Sequence, residues 1–402
     1  MSDFHFSAAL RRRAGVLAAG ALVLVVVVTA RLYRPSDAPF SPHDDAEVLE
    51  HVPAGAAQSQ VRRLEAQLAR NPGDLGLATQ LVRLHLATAR RTGDARLLSY
   101  AEAALAPWWE LPQPPPEVLL LRATIEQTRH EFAASLVDLD RLVALTPQDP
   151  QPWLTRATVL GVLSRYDEAR ASCEKLAGLT RPIVQVVCKA GIDGASGHAT
   201  EAVAALTSAL TARGVDPAEV AWARSVRGEI SLYAGDQAAA ERDLRAAVAS
   251  DADDVYSRGL LGDLLLDAHR DAEVVALVAP EEVNEVLLLR RAIAATRLHA
   301  AGASALSARL HASTDALRER GDATHQREEA RLYLEVDGDA ARALPVAVAN
   351  WKVQHEPWDA RVLLESAALV GDRGAAAPAV AWARTTKCAW PPVVTAVGKV
   401  SP

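Results

Sequence analysis

Residues 116–149 read PEVLLLRATIEQTRHEFAASLVDLDRLVALTPQD, and residues 150–182 read PQPWLTRATVLGVLSRYDEARASCEKLAGLTRP. Moving the first stretch along by 34 places Arg122, Ala123 and Thr124 on Arg156, Ala157 and Thr158, Phe132 on Tyr166, and Leu142 and Leu145 on Leu176 and Leu179. A unit of this length written at a fixed period cannot bury its own apolar face, so its copies stack into an array.

Composition points the same way. At 402 residues a single compact domain would be unusually large, whereas stacked units have no such ceiling because each touches only its neighbours. Half the residues are apolar and only 4% are aromatic, which suits helices packed closely through small side chains. The formal net charge is −7. Residues 1–34 hold five Arg against Asp3, a charge of +4, which leaves −11 for the remainder. An acidic body repels phosphate backbones, and this excludes nucleic acid as the expected partner. The three cysteines, Cys173, Cys188 and Cys388, form no CxxC and no Cys/His spacing suited to zinc.

The period and its residues resemble the tetratricopeptide repeat (TPR), in which two antiparallel helices carry a Trp or Leu, a small-residue pair, an aromatic, a second small residue and a Pro at set offsets. Trp153, Ala157, Tyr166, Ala169 and the late Pro147 and Pro182 fall at these offsets, with Ala in place of the first helix's Gly. The resemblance implies an all-α fold, an α-solenoid; the turn signals along the chain divide it into about nine two-helix units, and an apolar run near the N-terminus adds an expected single transmembrane helix ahead of them.

Outward from the doubled unit, Val61, Leu64 and Leu68 mark a lone helix ending at Asn71-Pro72-Gly73. Helices over 75–91 and 95–106 form the next unit, with Gly93-Asp94 as the turn. The linker PWWELPQPPPE (107–117) follows; Trp108 and Trp109 are either a docking patch or a plug for the ridge between two units. After Pro182, GIDGASGH (191–198) reads as a long Gly-rich turn without a phosphate-binding pattern. The period resumes at Ala221 and Val255 and drifts after Pro280, where Gly302, Gly321-Asp322, Asp337-Gly338-Asp339, Glu356-Pro357 and Gly371-Asp372 mark turns. The solenoid is expected over 58–388, and WPPVVTAVGKVSP shows no helical stripe, leaving 389–402 as a tail.

Ahead of the array, 1–13 is an Arg-bearing segment expected on the cytoplasmic side, and 14–33 is an expected signal-anchor helix. The uncharged run AGVLAAGALVLVVVVTA (14–30) spans about 25 Å as a helix, and Leu32, Tyr33 and snorkelling Arg extend it toward the roughly 30 Å of a bilayer's hydrocarbon layer. Val28-Thr29-Ala30 offers a small-residue cleavage site, so a removed signal peptide is the alternative. Arg11, Arg12 and Arg13 outweigh Arg31 and Arg34, which puts the solenoid outside the cytoplasm, on the periplasmic face of a bacterial inner membrane. Residues 34–57 read as a Pro-rich spacer.

The resemblance implies binding of a protein or extended peptide in a concave groove. At the family's groove positions this chain presents Arg83, Glu117, Thr124, Gln127, Gln151, Thr158, Trp222, Glu229, Tyr233, Tyr256, Asp263 and Asp267. The later part of that lining is acidic and aromatic and favours a basic guest. The pairs Thr79/Arg83, Leu120/Thr124, Leu154/Thr158, Ser225/Glu229 and Gly259/Asp263 do not supply the Lys and Asn of the family's carboxylate clamp. By the family's geometry Cys173, on a second helix, faces the following unit, where Cys188 lies. A disulfide between them is expected outside the cytoplasm, and two buried thiols are the alternative. No GxSxG, HExxH, redox CxxC or EF-hand pattern is present. Asp251–Asp254 read as a helix start, and His325 with Glu328 and Glu329 as an exposed turn, so no metal, cofactor or catalytic residue is expected. The runner-up reading is a factor presenting an apoprotein in cytochrome c maturation; a catalyst with an unrecognised site is the opposing one.

Overall fold

The computed structural model describes residues 56–401 apart from 281, 322 and 323, and from Ser59 onward they form one compact unit. The expected cytoplasmic segment 1–13, anchor 14–33 and the spacer as far as residue 55 lie outside the described residues. Among the described residues no helix is long and apolar enough to cross a membrane, and there is no strand.

Among the described residues, a single helix α1 (Ala56–Arg70) precedes nine helix pairs. They are α2 (Leu75–Thr92) with α3 (Arg96–Trp109), α4 (Pro116–Thr128) with α5 (Phe132–Leu145), and α6 (Pro150–Val162) with α7 (Tyr166–Glu174). Next come α8 (Pro182–Ala195) with α9 (Ala199–Leu210), α10 (Pro217–Tyr233) with α11 (Gln237–Ser250), and α12 (Val255–Asp267) with α13 (Asp271–Leu277). The last three pairs are α14 (Glu285–Arg297) with α15 (Ala303–Glu319), α16 (Gln326–Arg331) with α17 (Ala340–Trp351), and α18 (Pro357–Val370) with α19 (Arg373–Thr385). A π-helical turn, Leu332–Val336, extends α16, and α20 (Pro391–Val400) closes the chain.

Local chemistry sets the period. Pro at the first helical position starts α4, α6, α8, α10, α18 and α20, where its missing N–H has no partner to lose. Asp74, Asp149, Asp216, Asp236, Asp254, Asp339 and Asp372 each accept a backbone N–H at a helix start. Most first helices end in a left-handed residue, with a hydrogen bond reaching back five residues, as Glu131 N to Glu126 O (2.8 Å) and Arg165 N to Leu160 O (2.8 Å). Glycine is the usual occupant of such a position, but here His130, Ser164, His269 and His299 stand at φ of 60°, 58°, 54° and 50°. Within the doubled unit Arg122 spans its pair to Asp138 (2.6 and 2.8 Å), and Arg156, 34 residues on, reaches Ser172 (2.8 Å) and Asp140 (2.7 Å).

Two expectations change. The stretch 191–198 is not a long turn: α8 runs through Gly191 to Ala195, and only Gly197 (φ 88°) turns the chain. Gly194 is there for proximity, since a Cβ on it would sit 2.6 Å from Ile230 Cγ1 of α10. The tail 389–402 contains a packed helix: Val393, Ala396 and Val400 of α20 are buried against α18 and α19, and Trp390 sits edge-on to Trp358 (4.8 Å) and Tyr233 (5.5 Å). Its stripe is three residues deep and follows two prolines, which hides it from a periodicity reading.

Buried apolar clusters succeed one another along the chain, each shared by neighbouring pairs, as stacking requires. Two contacts break that order. Tyr233 of α10 belongs to the core of α17–α20, and Val353 packs on the core of α4–α8. Cys173 and Cys188 are joined by a disulfide, Cα–Cα 5.7 Å, and Cys388 is free.

Helix propensity and packing make opposite demands at two sites. Gly194→Ala gains about 1 kcal/mol of propensity but drives a Cβ into Ile230, and overpacking of about 1–3 kcal/mol outweighs it. We expect net destabilisation in urea unfolding. His269→Gly relieves an exposed left-handed residue and should stabilise by about 0.5–1 kcal/mol. The reverse ordering of the two variants would refute this account of the turns.

Candidate functional site

The solenoid curls so that units far apart in sequence touch. His355 N donates to Val162 O (2.8 Å), Ser164 Oγ to His355 O (3.1 Å), Trp382 Nε1 to Ser164 Oγ (2.9 Å), and Asn284 Nδ2 to Arg91 O (3.3 Å). Inside the curl lie three adjoining cavities of about 610, 390 and 210 Å³. Glu356 borders all three, and Glu229, Tyr233 and Tyr256 border the largest and the smallest. The walls are the inner faces of first helices, chiefly α6, α8, α10 and α12, closed on the other side by α16 and the start of α18. Tyr256 is 54% exposed and stands on the wall shared by the largest and the smallest of the three cavities.

The expected groove residues divide sharply. Glu229, Tyr233, Tyr256 and Asp263 line the largest cavity; Thr158 and Trp222 join the first three around the smallest, and Gln127 lines the third. Arg83, Glu117 and Gln151 are exposed and border none of these cavities. Thr124 is half-buried, its hydroxyl donating to Leu120 O (2.7 Å). Trp108 and Trp109 pack half-buried on the core of α1–α4, with Arg122 5.7 Å over the Trp109 ring and donating to its carbonyl.

The acidic part of the lining is met from within the chain. Asp263, 2% exposed, takes Arg290 through two bonds (2.7 and 3.1 Å). Arg331 Nη1 lies 2.9 Å from Asp263 Oδ1, off the line of its N–H, so the contact is one of charge. Burial pushes the Asp263 carboxyl up, but the two guanidinium groups outweigh it and hold it below the usual carboxylate range. Asp267, one turn on, takes Arg361 from α18 through paired bonds of 2.7 and 2.8 Å. Both arginines stack on Trp358, at 4.8 Å for Arg331 and 4.7 Å for Arg361.

Glu229 differs. It accepts from Tyr233 Oη (2.8 Å), Tyr256 borders the same two cavities, and among the described residues no basic side chain reaches ion-pair distance of it. Burial raises its carboxyl above the ordinary value, against the opposing effect of the Tyr256 and Tyr233 hydroxyls. Glu356 is also raised by burial, although it pairs with Arg327, whose Nε bonds Asp359 Oδ1 (2.6 Å). His130, bordering the 390 Å³ cavity, is held down to about 4, first by burial and then by the charge of Arg327.

The turn bearing His325, Glu328 and Glu329 is not an exposed one. His325 and Glu328 border the cavities and Glu329 pairs with Arg318, because the curl covers α16. Asp251–Asp254 do form a helix start: Asp251 accepts from Asp253 N (3.0 Å) and Asp254 from Tyr256 N (3.0 Å). Among the described residues no cluster of His, Cys, Asp and Glu has the geometry to hold a metal. Sequence reasoning missed Arg327, Glu356 and Trp358, which lie where the period drifts; the Glu356-Pro357 helix-start signal was the one local cue to their neighbourhood.

No family model and no curated protein matches the sequence. Among solved structures the chain is similar to the Cut9–Hcn1 hetero-tetramer of the APC/C (13% identity, 77% of this chain and 52% of that one, TM-score 0.40). It is also similar to the human IFIT1 dimer with PPP-AAAA (11%, 85% and 94%, 0.43) and a tetratricopeptide repeat protein from Parabacteroides merdae (14%, 71% and 99%, 0.32). The chain spans about half the length of the Cut9–Hcn1 chain it matches.

Removing one partner of a buried ion cluster leaves uncompensated charge, at a cost of about 3–5 kcal/mol. Asp263→Asn should therefore lower stability by that order at pH 7, read by chemical unfolding. An Asp held below its unfolded value contributes stability that is complete above about pH 4 and is lost as pH falls through its lower folded value. The gap between wild type and variant should shrink only below about pH 4. Equal stability at pH 7 would refute the role given to Asp263.

Proposed function

We propose that this protein is a non-catalytic interaction scaffold or assembly factor that holds a protein or extended peptide in its lumen. In this reading residues 14–33 anchor it in a bacterial inner membrane, with the solenoid on the periplasmic side. The observation that carries the reading is the lumen itself: about 610 Å³ with adjoining chambers, lined by inward-facing first helices and open to solvent at Tyr256. Its polar groups are held by other residues of the chain rather than arranged as an acid–base pair or an activated nucleophile, which favours recognition over catalysis. The Cys173–Cys188 bond supports a compartment outside the reducing cytoplasm. By the chain-entropy relation, closing this loop contributes about 3 kcal/mol.

The full-length protein purified from detergent-solubilised membranes should retain a stoichiometric protein partner that Tyr256→Ala releases. Carbonate washing should leave the chain in the membrane, and denaturation without reductant should expose one thiol, that of Cys388. A partnerless chain with turnover of its own would overturn the scaffold. Release by carbonate would overturn the anchor, and three titratable thiols would overturn the bond.

A further inference from the structure

This chain places arginine twice between aromatic rings and carboxylates on its inner surface. Arg361 lies over Trp358 (4.7 Å) and Trp390 (5.3 Å) and bonds Asp267 and Glu365. Arg331 lies over Trp358 (4.8 Å), 2.9 Å from Asp263 and 2.7 Å from Glu335. A third assembly of the same components stands where the largest and smallest cavities meet. Trp222, Tyr233 and Tyr256 supply rings and Glu229 and Glu356 supply carboxylates. Arg327 serves Glu356 and Asp359, and no arginine or lysine of the described chain reaches Glu229.

We propose that this junction is a receptor for one cationic side chain, Lys or Arg, of a polypeptide lying in the lumen. The proposal rests on the scaffold reading and names the chemistry of its guest. The carboxylate of Glu229 accepts from the Tyr233 hydroxyl (2.8 Å), and Tyr256 borders the same two cavities, so the carboxylate is held in place with no cation of the described chain paired to it. The partly exposed Tyr256 ring offers a face to a cation entering from the larger cavity. Size is consistent: the 210 Å³ chamber is below the range of about 300–1,000 Å³ usual for whole ligands and suits a single long side chain. The 610 Å³ chamber beside it has room for the flanking backbone.

The test uses the full-length protein in detergent and three extended peptides, identical apart from one central Arg, Lys or citrulline, measured by titration calorimetry. Free agmatine serves as the small-cation arm. The Arg and Lys peptides should bind at least tenfold more tightly than the citrulline peptide and than agmatine. Glu229→Gln and Tyr256→Ala should each erase that preference while keeping the wild-type circular dichroism and melting profile. Tyr256→Phe, which keeps the ring, should retain most of it. Equal binding of Arg and citrulline peptides, or no binding of either, overturns the cation receptor while a co-purifying partner would leave the scaffold standing. Agmatine binding as tightly as the peptides overturns the polypeptide source. If Glu229→Gln or Tyr256→Ala fails to fold, the wild-type comparison of Arg with citrulline decides alone.

Discussion

The inner face of α12 carries two carboxylates one helical turn apart, Asp263 and Asp267, and the shape of the second half of the molecule follows from where their charges are answered. Asp263 takes Arg290 of α14 and Arg331 of α16, and Asp267 takes Arg361 of α18, 94 residues away. A solenoid whose units touched only their neighbours would leave both on an open groove. Here the groove is answered by its own later units, which are drawn inward until Trp390 closes against Tyr233 on one side and Trp358 on the other. The low-dielectric interior makes this arrangement demanding, because each charge must find its partner to offset desolvation. That demand favours one curvature over others.

The doubled stretch at 116–182 carries the fold because its signals are local. Pro at a helix start, Asp caps and small residues at the crossing of two helices act within one unit, so they repeat with it and can be read. The signals that misled are those whose reason lies elsewhere. Gly191 and Gly194 look like a turn until Ile230 of the next unit is seen to press on Gly194. His130, Ser164, His269 and His299 hold left-handed turns that a search for Gly, Asn or Asp passes over. The closing helix α20 was hidden because its apolar side is short and its first two residues are Pro.

The lumen was legible by half. The resemblance led to Trp222, Glu229, Tyr233, Tyr256 and Asp263, because these lie where the 34-residue register holds. It led equally to Arg83, Glu117 and Gln151, which border none of the chambers, since curvature rather than register decides which inner faces enclose space. It gave no purchase on Arg327, Glu356 and Trp358, which lie after Pro280, where the units drift. An acidic and aromatic lining did imply a basic guest, and for Asp263 and Asp267 that guest is the chain's own arginine.

Closure also changes how the array holds together. In an open solenoid stability is nearly a sum over neighbouring units, and any stretch can open independently. Here Arg91 meets Asn284, Val162 meets His355, and Ser164 meets His355 and Trp382, the contacts of Ser164 spanning 191 and 218 residues. Opening one middle unit therefore breaks contacts to units far along the chain as well as to its neighbours. Local fluctuations of the lumen wall are thereby tied to the whole ring. Under the scaffold proposal, a guest would have to reach the inner chambers without splaying the groove, and that favours a narrow extended segment over a folded domain as their occupant.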